Sequence, residues 1–192
     1  MKKISIVILI GMVAAISVAR ADIIPSFAGT SAGSGTNTAW NYTINITSGQ
    51  EVMAGDFFTI YDFGPFITGS ATQPSNWSFS SSLVTPPPSG TNPPDNASLA
   101  NLTWTYMGAT VIPSNTNLSG FSVTQLTSVF QAVPSTKTGF FAASATSVTG
   151  GGGKINNVGQ VPVPAPIPEP TTLSLLALAG VGSALRAIRR RK

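Results

Sequence analysis

Apolar and polar residues alternate over 39–47: Trp40, Tyr42, Ile44 and Ile46 point one way, and Asn41, Thr43, Asn45 and Thr47 the other. A period of two belongs to a β-strand with one buried face. Ser48-Gly49 reads as a turn, and the next β-prone run is Asp56 to Phe63 (D-F-F-T-I-Y-D-F), closed by Gly64-Pro65. Shorter strands fit 76–80, 99–107, 121–126 and 139–147, separated by Gly- and Pro-rich breaks at 85–90 and 92–95. No amphipathic helical period interrupts them. Several short strands with turn signals between them predict an all-β domain, an antiparallel β-sandwich over residues 22–149. Four glycines from Gly150 then open what reads as a flexible Gly/Pro-rich linker over 150–167.

Both ends of the chain depart from this pattern. Met1-Lys2-Lys3 is a short basic start, followed by an apolar run from Ile4 to Val18 and then Ala19-Arg20-Ala21. That order is the one a signal peptidase reads. Small residues at Ala19 and Ala21 place the cut before Asp22, and the apolar run is shorter than the ~20 residues that span a bilayer. Residues 1–21 are therefore expected to be a cleaved signal peptide.

At the other end, 161–170 reads V-P-V-P-A-P-I-P-E-P. Thr171 to Leu185 carries no charge and reaches ~23 Å as a helix; counting on to Ile188, with Arg186 snorkelling, gives ~27 Å, enough to span with slight thinning. Arg189, Arg190, Arg191 and Lys192 follow, a basic cluster held on the cytoplasmic side, so the domain before a single transmembrane helix over 171–188 must face outward. Pro168-Glu169-Pro170, a short apolar helix and an arginine cluster, in that order, resemble the sorting segment of PEP-CTERM proteins over 168–192. The resemblance implies handling by an exosortase, a membrane-embedded enzyme of Gram-negative bacteria that often make exopolysaccharide. It makes Pro168, Glu169 and Pro170 a recognition motif and not a catalytic site. It also implies a membrane intermediate bound for the cell surface or beyond, in an envelope or exopolysaccharide matrix.

Charge confirms how different the ends are from the middle. The formal net charge of +4 is terminal: between Asp22 and Pro168 five carboxylates face two lysines, a balance of −3, which argues against nucleic acid as a partner. There is no cysteine and no histidine, so thiol chemistry, Ser-His-Asp catalysis and the usual zinc sites are excluded. Asp56 and Asp62, on one straight strand, would stand ~20 Å apart, too far for the ~5–9.5 Å of paired glycosidase carboxylates. Glycoside hydrolysis would need Glu51 or Asp95 brought in by the fold. Gly150 to Lys154 lacks the first glycine and the Ser/Thr of a phosphate loop, since Val148 and Ile155 stand there. No enzyme activity, cofactor or metal is expected.

Three aromatic pairs remain: Trp40-x-Tyr42, Trp77-x-Phe79 and Trp104-x-Tyr106. Rings at period two belong in a sandwich core. On an exposed face, Trp40, Trp77 and Trp104 would instead stack on sugars, and the domain would be a carbohydrate-binding module. The main expectation is a structural or adhesive surface protein. N-terminal sequencing of the exported protein should begin at Asp22; a sequence beginning at Met1 would overturn the cleavage.

Overall fold

The structure is a computed structural model that describes residues 23–126, 136–148 and 151–165. Nine strands follow in order: β1 Ile23–Ala32, β2 Thr38–Ile46, β3 Gln50–Glu51, β4 Phe57–Tyr61, β5 Trp77–Ser82, β6 Asn101–Tyr106, β7 Thr116–Gln125, β8 Thr136–Ser147 and β9 Lys154–Pro164. Among the described residues there is no helix. The fold is all-β, and every pairing between strands is antiparallel.

The strands form a small sheet, β1-β2-β7, and a large one, β3-β8-β4-β6-β5, with β9 added along β8. The alternation read from 39–47 sets the inner face of the small sheet: Trp40, Tyr42, Ile44 and Ile46 are buried. Phe58 and Ile60 of β4, and Leu102, Trp104 and Tyr106 of β6, supply the large sheet's side of the same core. Phe121 of β7 joins the two layers. Its ring meets Phe58 and Trp77 edge-on, both at 5.1 Å, and Trp104 at 6.0 Å. Edge-to-face contacts at such distances add ~0.5–1.5 kcal/mol each beyond the area buried.

β4 is buried on both faces, which is why its sequence runs D-F-F-T-I-Y-D-F without alternation. Its outer face lies under the proline-rich segment after β5. Tyr61 Oη donates to Thr85 O (3.4 Å), and Asn156 Nδ2 of β9 donates to Ser89 O (2.9 Å), so this segment crosses the sheet from β5 to β9. Burial, with Asp95 close by, pushes the Tyr61 hydroxyl up to about 12.

Three strands were not expected from the pattern, the two-residue β3 among them. β1 buries little beyond Ile23 and Pro25, and exists by pairing with β2 through a bulge between Phe27 and Gly29. The larger correction concerns 150–167, expected as a linker. Lys154–Pro164 pairs with β8 over its whole length, and Val161 and Val163 are buried. Gly151 and Gly152 lie between β8 and β9, both at positive φ, where glycine sits without strain. V-P-V-P suits an edge strand: Val161 and Val163 face the core, and prolines, lacking N–H, are tolerated where no further strand pairs. The domain therefore extends to at least Pro164 and does not end at 149.

A chain of residues 22–165 should unfold cooperatively with a β-type circular dichroism spectrum. Residues 22–149 alone, which leave β8 unpaired on its β9 side and remove Val161 and Val163 from the core, should be destabilised by more than ~3 kcal/mol or fail to fold. Equal urea midpoints for the two chains would show that β9 is dispensable.

Candidate functional site

The strand nearest the sorting segment is β9, and three sets of contacts fix it. At its start, Lys154 Nζ meets Asp56 Oδ1 at 2.5 Å and donates to Thr146 Oγ1 at 3.0 Å. Asp56 is fully buried just before β4, and its Oδ2 accepts from the Met53 N–H (2.8 Å) and the Thr146 hydroxyl (2.9 Å). The Lys154 side chain is 47% exposed, so its stem reaches in from the surface to neutralise a carboxylate that water does not reach. Midway, Gly159 lies opposite Phe141; a Cβ there would stand 2.6 Å from the Phe141 ring, so the close packing of β9 on β8 requires glycine. Toward its end, Tyr42 Oη donates to Pro162 O (3.0 Å), tying β9 to the small sheet. Burial pushes the Tyr42 hydroxyl far above its ordinary range, which keeps it a donor. That bond also shows that the Pro162 carbonyl faces away from β8, the side on which a missing N–H leaves no ladder bond unmade.

The contacts at this site are structural ones. Asp56, its only buried carboxylate, has all its contacts spent on structure. Glu51 and Asp56 sit at one end of β4, and Asp62 and Asp95 at the other, where Asp62 Oδ1 accepts from the Asn96 N–H (2.9 Å) and Asp95 Oδ1 from Asn101 Nδ2 (3.0 Å). Among the described residues no group of three or more metal-ligating side chains comes together. A groove of about 370 Å³ under the proline-rich segment is lined by Thr59, Ser80, Ser82, Thr103 and Thr105 with Phe57, Val84 and Pro86 at its margins. It offers neutral hydroxyls and no acid or base.

The three tryptophans correct the sugar-platform reading. Trp40 and Trp104 are wholly shielded and Trp77 nearly so, all within the single core, because each strand turns its period-two rings toward the opposite sheet. The Trp40 indole N–H is spent on Gln125 Oε1 at 2.9 Å. No face is left for a sugar ring. Ala19, Ala21 and Asp22, the motif Pro168, Glu169 and Pro170, the apolar run 171–188, and Arg186, Arg189, Arg190, Arg191 and Lys192 all lie outside the described residues. Among the described residues no helix is long and apolar enough to cross a membrane.

Residues 166–192 match the family model of the PEP-CTERM protein-sorting motif. The tail is a PEP-CTERM motif. It begins just past Ala165, so β9 runs almost directly into it. Such a motif implies an exported protein that is held at the membrane and processed by an exosortase. No curated protein matches the chain in sequence. Among solved structures, ACE19, the collagen-binding subdomain of the Enterococcus faecalis surface protein ACE, is similar at 8% identity and a TM-score of 0.37, over 74% of this chain and 96% of that one. A likeness of that degree establishes nothing about what this domain binds.

Asp56, Lys154 and Tyr42 were not singled out as a group by sequence reasoning. Their one signal was that Lys154 is one of only two lysines in an otherwise uncharged stretch of the domain. Lys154→Met strands a buried carboxylate and should cost about 3 kcal/mol, while Asp56→Asn lets the lysine swing into water and should cost less. The double variant should regain much of the loss in Lys154→Met. Equal losses in the two single variants, read from urea unfolding, would show that water already screens the pair.

Proposed function

We propose that this chain is an exported surface protein, held at the membrane by its PEP-CTERM tail until an exosortase sorts it. Its β domain then serves a structural or adhesive role in the envelope or an exopolysaccharide matrix, without catalysis. The observation that carries the reading is the sorting motif at 166–192, joined to the domain through an integral edge strand. The domain's chemistry supports it. Asp56, Asp62 and Asp95 are engaged in internal bonds, the tryptophans are in the core, and the described surface is sparsely charged and rich in hydroxyls and amides.

The proposed topology separates two properties of the tail. The motif Pro168-Glu169-Pro170 serves recognition, and the apolar run with Arg189, Arg190, Arg191 and Lys192 serves membrane retention. In cells with their exosortase intact, replacing 168–170 by Ala should leave the chain in the membrane fraction and cause full-length precursor to accumulate. Neutralising 189–192 should instead release the domain from the membrane. Normal processing of the 168–170 variant, seen as an unchanged product size, would sink the assignment.

A further inference from the structure

The tail leaves the domain at one end, and strand register decides which loops share that end. Pro164 pairs with Thr136 at the start of β8. β4 finishes on the same side, with Tyr61 opposite Phe140, and there β6 begins at Asn101 and β5 finishes at Ser82. The small sheet contributes Gln125, which bridges to Phe66, and Leu126, whose N–H donates to Pro65 O (3.1 Å). The loops leaving this end carry Leu83, Val84 and Leu126, which are 55%, 60% and 51% exposed. Leu83 shares a groove of about 390 Å³ with Gly64, Pro65, Phe66, Ser98 and Ala100, none of them charged.

The sequence past Ala165 limits how far this end can stand from a membrane. From Pro164 to Thr171, where the uncharged apolar run begins, is seven residues, at most ~25 Å of extended chain. The headgroup layer takes up ~5–8 Å of that.

We propose that the end of the domain formed by Leu83, Val84, Leu126 and Pro65 rests on the membrane surface while the tail is held, with these side chains set into the headgroup layer. The proposal rests on the reading of 166–192 as a membrane tether. Exposed leucine and valine side chains gain by entering the interface, and a short tether keeps them within reach of it. The charged groups here are few: Asp62 and Asp95, which accept from the Asn96 N–H, Asn101 and the Thr85 N–H, and Lys137 near the start of β8, whose positive charge offsets one of them. The opposite end, with Met53, Met107, Val111 and Val148 exposed, then faces outward.

The absence of cysteine makes the test direct, because a single introduced cysteine is the only label site. Leu83→Cys and, at the far end, Met107→Cys are made in the full chain, coupled to an environment-sensitive dye, and reconstituted in phosphatidylcholine vesicles without exosortase. The label at 83 should be blue-shifted, quenched by a headgroup-depth nitroxide lipid, and at least about threefold less accessible to iodide than the label at 107. Equal iodide access at both positions would overturn the proposal. So would protection at 83 without nitroxide quenching, which would mean that protein, and not lipid, covers this end. A chain that does not partition with the vesicles would overturn the tether itself, and the proposal with it, so the two failures are told apart by fractionation.

Discussion

Phe121 meets Phe58, Trp77 and Trp104 across the interlayer gap, and the rest of the domain depends on that cluster of rings. With no cysteine and few charges, the domain has neither disulfides nor ion-pair networks to draw on. Its stability rests on burial, at ~1.5–3 kcal/mol for each large side chain removed from water. Because the two sheets present rings to each other, the tryptophans have no freedom to serve a surface role. The same packing that holds the layers together removes the aromatic platform from the list of things this surface can offer.

What the surface does offer follows from how the edges are closed. β9 covers the open flank of β8, and its attachment is unlike the ring cluster: one ion pair to a buried carboxylate, one tyrosine hydroxyl on a carbonyl, and a glycine against a phenyl ring. This flank bears the tail, so any pull on the PEP-CTERM motif is delivered to β9 first. Lys154 and Asp56 sit at the end of the strand farthest from Pro164, and the whole β8–β9 ladder lies between the tail and that ion pair. A strand held along its length and locked at its far end stays seated when its near end is tethered. That suits a domain whose last strand runs almost directly into a sorting motif.

The sorting tail and the domain thus divide the work. Residues 166–192 carry the protein-sorting motif. The domain, among the described residues, has a neutral hydroxyl-lined groove and a mostly uncharged exterior.

By itself the sequence determined the elements whose signal is local. The alternation in 39–47, the aromatic β-prone runs at β4 and β6, and the C-terminal sorting motif each carry their meaning within a few neighbours. β8 was legible only in part, because its run of Ala, Ser and Thr is small on both faces and becomes buried by what covers it. β1 and β9 could not be read locally. Ile-Ile-Pro-Ser-Phe buries few of its residues, and V-P-V-P reads as a spacer until a partner strand takes up its ladder and a core takes up Val161 and Val163. The site on β9 was hidden for the same reason. Asp56 and Lys154 are 98 positions apart, and only the tertiary structure, by bringing β4 and β9 to the two sides of β8, turns an isolated lysine after a glycine run into the partner of a buried carboxylate.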